Sequence, residues 1–384
     1  MALQIDGLRM QLTDNAAQLE AIAARLATRP RVFLDTEFES SRHGSTLCLV
    51  QISDGERIAL IDALRLRDLD VLGRAIGRRD CEWVLHAGGQ DVPLLLRHLR
   101  LDEPPPLFDT QVAWALVSPE YSVSLAYLLF RLLGLRSPKT HQADDWKRRP
   151  LPQSQLEYAA GDVAHLPELH AALVARAEQL GRAAVIPRAT RELVWPRPEP
   201  TSLPTIESFR NAWQLDRAGQ AALRALVEWY NGLDERARSE APEPKVLFSI
   251  ASRLPETPDA LGRIKGIPRG WCARRGEALT LRLDRATAEA AAGEFVPIDP
   301  PPYNTFEEIE LDAWLSMVRA ATCTLASIAP ELAFPTRLLR RVKPDVLARG
   351  SSDALVDALT DWRAEVLSRP LTEACRRYPW PLPS

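Results

Sequence analysis

The chain is poor in several things. Of its 384 residues, 5 are cysteine and 3 methionine. The cysteines are scattered, and no pair has the CxxC spacing of a zinc knuckle, so a reducing cytoplasm is the expected compartment. No stretch approaches the 18 or so unbroken apolar residues of a membrane span, and Met1 to Asp14 carries acids without the apolar run of a signal peptide. Charge of one sign is missing too. The 48 basic and 51 acidic groups nearly cancel to −3, which excludes a protein basic over its whole surface but leaves room for a local basic patch. Lysine is scarce at 5 against 43 arginines, the mark of a GC-rich coding bias rather than of a function.

Proline is plentiful, and it punctuates. Pro187 to Pro204 and Phe295 to Tyr303 are dense in it and read as semi-rigid linkers. The first segment mixes strand and helix signals. Residues 13–27 predict an amphipathic helix burying Leu19, Ile22, Ala23 and Leu26, capped by Thr13 or Asp14. Val32 to Leu34, Leu47 to Ile52 and Ile58 to Ile61 are short apolar runs, the last two separated by the turn signal Asp54-Gly55. Trp83 to His86 predicts another strand, followed by a helix from about Gln90 to Leu99. An antiparallel opening argues for a mixed sheet over an all-parallel one. The other two segments show only helical periodicity.

The strand Arg31 to Phe38 carries the chemistry. Side chains alternate along a strand, so Asp35 and Glu37 share a face. Two carboxylates so placed repel unless a cation sits between them, and carboxylate oxygens suit Mg²⁺ or Mn²⁺. Tyr158 and Asp162 are four apart on a predicted helix, hence on one face. Asp91 precedes a helix with Pro93 in its first turn, and by itself would read as an N-cap. Asp109 at a strand end reads as a cap or a support, Asp144 and Asp145 as loop residues. His86 reads as a hydrogen-bonded strand-end histidine and His141 as a solvated one.

Taken in order, DxE, then Asp, then YxxxD resemble the DEDDy branch of the 3′–5′ exonucleases. Phe33 to Phe38, His86-Ala87-Gly88 before Asp91, Phe108 to Gln111, Trp146 with Arg149-Pro150-Leu151, and Tyr158 to Val163 are similar to the ribonuclease D family. Asn211 to Leu215 opens a segment that resembles its helicase-and-RNase-D C-terminal domain, and the last segment resembles a divergent second copy. The resemblance implies an α/β ribonuclease-H-like exonuclease domain with a mixed sheet over 1–190, followed by two small all-α domains over 205–290 and 303–384.

It further implies a metal-dependent 3′–5′ exoribonuclease that trims tRNA precursors and other structured RNAs to nucleoside 5′-monophosphates. Two divalent cations would be held by Asp35, Glu37, Asp91 and Asp162, with Tyr158 orienting the attacking water. A free phenol titrates near 10, which favours positioning over proton abstraction. The partner is RNA with a free 3′ end, no membrane is involved, and a monomer is expected. The alternatives are a non-catalytic nucleic-acid-binding protein and a DNA-directed DEDDy exonuclease. The first predicts loss of an acid, and none is lost.

Departures from the family are few. Phe38 to Thr46 lacks the usual Tyr and Pro, Gly161 stands where Ala is usual, and the last segment lacks a clear glycine turn. Residues 245–285 hold nine basic and four acidic groups around the turn Leu261 to Trp271. Lys265, Arg269, Arg274 and Arg275 are the nucleic-acid-binding candidates there. The Pro187–Pro204 linker further predicts that residues 1–200 fold alone.

Overall fold

The structure, a computed structural model, describes residues 3–5, 8–41, 44–136, 145–196, 203–293, 296–300 and 305–381. Arg42, His43, His141, Asp144 and parts of both proline-rich linkers lie outside the described residues, as does the side chain of Arg269.

Seven strands form one mixed sheet: β1 (Leu3–Ile5), β2 (Leu8–Thr13), β3 (Arg31–Ser41), β4 (Gly44–Ser53), β5 (Arg57–Asp62), β6 (Glu82–Leu85) and β7 (Leu107–Asp109). Their order is β1-β2-β5-β4-β3-β6-β7. The β3–β4–β5 meander is antiparallel, whereas β6 and β7 run parallel to β3. The hairpin β1–β2 was not among the expected elements. Its second strand pairs parallel with β5 and buries Met10.

Helices cover both faces of this sheet. They are α1 (Ala16–Leu26), α2 (Asp70–Ile76), α3 (Asp91–Leu99), α4 (Thr110–Ala115), α5 (Leu125–Leu128, continued by a π-turn over Leu129–Leu133), α6 (Gln153–Ala164), α7 (Leu166–Gln179) and α8 (Ile186–Val194). α1 buries the four expected residues, but its N-cap is Asn15, whose side chain accepts from the Gln18 N–H.

The alternation of β3 decides which face each residue serves. Val32 and Leu34 pack in one core with α1, α2 and α3, while Phe33 packs in the other with α6 and α7. Asp35 and Glu37 keep the parity of Phe33 and so stand on the α6 side, whereas Thr36 stands on the α3 side.

Two all-helical stretches follow. The first holds α9 (Arg217–Asn231), α10 (Glu235–Glu240), α11 (Pro244–Arg253), α12 (Pro258–Gly262) and α13 (Arg269–Ala291). The second holds α14 (Phe306–Ala326), α15 (Pro330–Ala333), α16 (Thr336–Arg349), α17 (Asp353–Asp357) and α18 (Asp361–Arg377). By packing, the chain forms two compact units, Met1–Arg197 with Glu307–Ser384 and, separately, Pro198–Phe306. The second unit has its own core, with Leu223, Leu226, Leu247, Ile250 and Leu283 buried.

The last helical stretch shares a core with the sheet domain. Leu311, Trp314, Phe334 and Leu367 lie in one cluster with Trp114, Val117 and Leu173. Phe334 and Leu367 are fully buried, each contributing roughly 1.5–3 kcal/mol. Polar contacts stitch the same junction. The Ala329 N–H donates to the Ala115 carbonyl at 2.8 Å. Arg182 donates to the carbonyls of Leu116 (2.6 Å), Ser327 (3.2 Å) and Ala326. Glu192 accepts from Trp362, Arg363 and Arg337. The expected linker at Pro187–Pro204 is in its first half the helix α8, with Ala189 and Val194 buried, so it does not end a self-contained core: residues 1–200 leave out part of it.

Candidate active site

β3 carries the acidic pair at its middle, and α6 lies across it. Carboxylate oxygens of Asp35, Glu37 and Asp162 all fall within 4.8 Å of one another. At an effective dielectric near 20, each such pair of charges repels by roughly 3.5 kcal/mol. Burial, and then the neighbouring charges of Asp162, Asp91 and Glu37, push the Asp35 carboxyl well above its usual range. Burial likewise raises Asp162 to about 7, although a hydrogen bond from Tyr158 pulls it down.

Asp91 reaches the same cleft from the opposite face of the sheet. It is the first residue of α3 rather than its cap: the cap position is Gln90, with no side-chain capping bond. Asp91 instead accepts a hydrogen bond from the hydroxyl of Thr36. Thr36 is buried, and its bond lowers a carboxyl that burial raises. The alternation that turns Thr36 away from Asp35 and Glu37 turns it toward α3, so one strand places acids from both sides. Thr36 was not among the sequence candidates, and its only signal was its parity between them.

The cleft has a volume of about 480 Å³ and is lined by Asp35, Glu37, Asp91, Tyr158 and Asp162, with Gln90, Gln111 and Ser124 as polar walls. Among the described residues no lysine or arginine lines it. A hard divalent cation fits this all-oxygen donor set.

The supports are built from the neighbouring loops. His86 donates from Nε2 to the Val123 carbonyl at 3.1 Å, while Nδ1 accepts from the Thr110 hydroxyl at 2.9 Å. Both nitrogens are taken, and burial pushes its pKa down, so His86 is a neutral wall. Asp109 caps α4 through the N–H groups of Gln111 (2.8 Å) and Val112 (3.2 Å), and accepts from the Gly88 N–H at 2.8 Å. That bond anchors the turn between β6 and α3, where Ala87 adopts φ +55°, a conformation few non-glycine residues take. Asp145 accepts from the Lys147 N–H at 3.0 Å and serves its own loop.

α6 is fixed by Arg149, another residue the sequence did not single out as a support. Its guanidinium grips Asp62 with both oxygens, at 2.6 and 2.8 Å, and donates to the Cys48 carbonyl at 3.0 Å. Cys48 is the extra residue of a β-bulge: Glu37 pairs with Leu49 and Phe38 with Leu47. A bulge leaves ladder groups unpaired, and here Arg149 and the Ala63 N–H use the freed carbonyl. Burial alone would raise Asp62, but Arg149 holds its carboxyl below the usual range. Trp146, buried, lies 6.3 Å ring to ring from Tyr158 and backs it.

The basic candidates lie in the other unit. Lys265 is exposed, Arg274 pairs with Glu240 at 3.1 Å, and Arg275 lines a separate small pocket. Gly266 takes φ +98°, and a Cβ there would meet Val246 at 2.8 Å, so the turn requires glycine.

Comparison with known proteins gives a consistent answer. A family model described as a 3′-5′ exonuclease matches residues 10–178. Ribonuclease D of Granulibacter bethesdensis is 30% identical over 370 residues, covering 93% of this chain and 90% of its own. Ribonuclease D of Nitrobacter hamburgensis is 29% identical over 372 residues, covering 93% of each. The solved structure of Escherichia coli RNase D, described as an exoribonuclease involved in structured RNA processing, superposes with a TM-score of 0.68. It is 25% identical, covering 96% of this chain and 99% of that one. With the acidic cleft and its mixed sheet, these relationships show that the chain belongs to the ribonuclease D family and is a 3′–5′ exoribonuclease.

Proposed function

We propose that Asp35, Glu37 and Asp162 hold one divalent cation, Mg²⁺ or Mn²⁺, and that Asp35 and Asp91 hold a second. The observation that carries this is the group of three carboxylates within 4.8 Å, in a cleft whose described lining offers no cationic side chain. Bound there, the cations would supply positive charge to the scissile phosphate and lower the pKa of the attacking water. Tyr158, held by its bond to Asp162, orients that water toward phosphorus. Thr36 keeps Asp91 aimed into the cleft. The bond from phosphorus to the 3′ oxygen of the penultimate nucleotide breaks, and a nucleoside 5′-monophosphate leaves.

The substrates in this reading are the 3′ ends of tRNA precursors and other structured RNAs. Residues 205–290 and 303–384 are helicase-and-RNase-D C-terminal domains, with Lys265, Arg269, Arg274 and Arg275 offered to phosphate by the first. The protein works as a monomer. A reducing cytoplasm suits its five buried, unpaired cysteines, and no described helix is long and apolar enough to cross a membrane.

The test is incubation of the full chain with 3′-extended tRNA and with matched single-stranded DNA, in Mg²⁺ and in EDTA. Stepwise shortening of the RNA in Mg²⁺ alone is expected. Equal shortening in EDTA removes the metals from the reading, and shortening of DNA alone removes the RNA.

A further inference from the structure

Unit Pro198–Phe306 contains a pocket of about 190 Å³ between α9, α10 and α13. Its wall includes Trp229 and Trp271, set edge to face at 5.7 Å and 63°. Trp271 is buried, whereas Trp229 is partly open. The inner indole therefore braces the outer one, which is the pocket's partly exposed aromatic ring.

Two arginines flank it. Arg275 and Arg282 line the same pocket, are exposed, and are seven positions apart on α13. Seven residues are two helical turns, so both stand on one face, about 10 Å apart along the axis. Neither has an acidic partner among the described residues. The pocket's one acid, Glu240, is engaged by Arg274. An aromatic platform between two uncommitted guanidiniums suits an unstacked base with a phosphate on either side, since every base has a face to stack and every linkage a charge to pair. An acidic peptide would use the cations and waste the platform.

We propose that this pocket takes one nucleotide of single-stranded RNA, its base against Trp229 and its flanking phosphates at Arg275 and Arg282. The proposal rests on the exoribonuclease reading for its ligand class and assigns that ligand a contact outside the acidic cleft. Of the four basic candidates, only Arg275 belongs to the pocket.

The experiment is fluorescence anisotropy of a labelled 12-nucleotide oligo(A) on the full chain in EDTA, at several salt concentrations. Trp229→Leu should weaken binding roughly 5- to 150-fold, the span measured for loss of one stacked base, and Trp229→Phe should retain most of it. Arg275→Gln with Arg282→Gln should flatten the log–log salt slope by about 1.4, at 0.7 per phosphate contact. Should Trp229→Leu unfold the unit, the exposed arginine pair decides. Unchanged affinity and slope in the folded double variant overturn the proposal. Displacement of RNA by polyglutamate as efficient as by unlabelled RNA also overturns it, in favour of an acidic peptide. Hydrolysis of the same oligonucleotide by the native protein in Mg²⁺ reads the exoribonuclease reading separately: its absence sinks that reading, whereas the affinities alone judge the pocket.

Discussion

Residues 203–293 and 305–381 are both all-helical, yet one closes a core of its own while the other completes the core of the catalytic body. Their apolar periodicities look alike, so propensity does not separate them. The difference lies in what meets the last stretch: the carbonyl-seeking Arg182, the hub of Glu192, and Arg188, which pairs with Asp361 and Glu365. A helical segment's role is set by the polar groups its neighbour leaves for it as much as by its own stripe.

The most direct way to break this comparison is to cut it. A fragment of residues 1–196 should fail to fold, because Trp114, Val117 and Leu173 lose their partners, whereas residues 203–300 should give a cooperative helical melt by circular dichroism. A cooperative near-ultraviolet transition in the 1–196 fragment would show that the shared core is dispensable.

Asp35→Asn divides the two regions by function. Turnover should fall roughly 10³-fold or more, since several kcal/mol of charge stabilisation depend on that ligand. The metal-free variant should melt above the native protein at pH 8, because the mutation relieves the burial cost of a charged carboxylate, and then the repulsion, that together raise the Asp35 carboxyl. A lower melting temperature would mean that Asp35 serves the fold.

Burial of a second acid in the cleft, Asp162, sets a pH dependence for the body that the other unit should lack. In the folded metal-free protein Asp162 keeps its proton up to about 7, against 3.8 ordinarily. The folded state then binds more protons than the unfolded one, so stability should fall as pH rises from about 4 through 7. Mg²⁺ should raise the melting temperature more at pH 8 than at pH 6, because protons compete for the same oxygens. A metal-free melting temperature that climbs over this range contradicts the assignment.

Smaller still, Glu192→Ala strands the guanidinium of Arg363, whose side chain is only 9% exposed, and should cost about 3 kcal/mol in urea melts. The control in the other unit, Glu240→Ala, removes an exposed pair and should cost about 0–1 kcal/mol. Equal losses would erase the distinction between the two helical stretches. Smallest of all, Gly161→Ala should stabilise the body by about 0.5–1 kcal/mol, as a Cβ there meets nothing within 4 Å and glycine weakens a helix interior.

The sequence made some of this legible. Asp35 with Glu37 and Tyr158 with Asp162 were each readable as pairs because the strand repeats every two residues and the helix nearly every four. Asp91 had no such support: its hydrogen-bond partner is a hydroxyl on another element, 55 positions away, and no local pattern links the two. β1 and β2 went unseen because neither carries an apolar run like those of β5 and β6: β2 reads Leu8-Arg9-Met10-Gln11-Leu12-Thr13. Arg149 grips Asp62 across 87 positions, and no local pattern encodes that. The union of the last helices with the sheet was invisible for a related reason: periodicity gives a helix its apolar face and says nothing of what covers it.

That union also orders events during synthesis. Pro198–Phe306 is one continuous stretch with its own core, and can close as soon as its 109 residues have emerged. The catalytic body cannot. Its first 197 residues must wait while that stretch is made, about 5–20 s at roughly 5–20 residues per second, before the helices that seal its core appear. Through that interval the surfaces of Trp114, Val117 and Leu173 stand open to chaperones. The catalytic body is therefore the last part of this chain able to close its core.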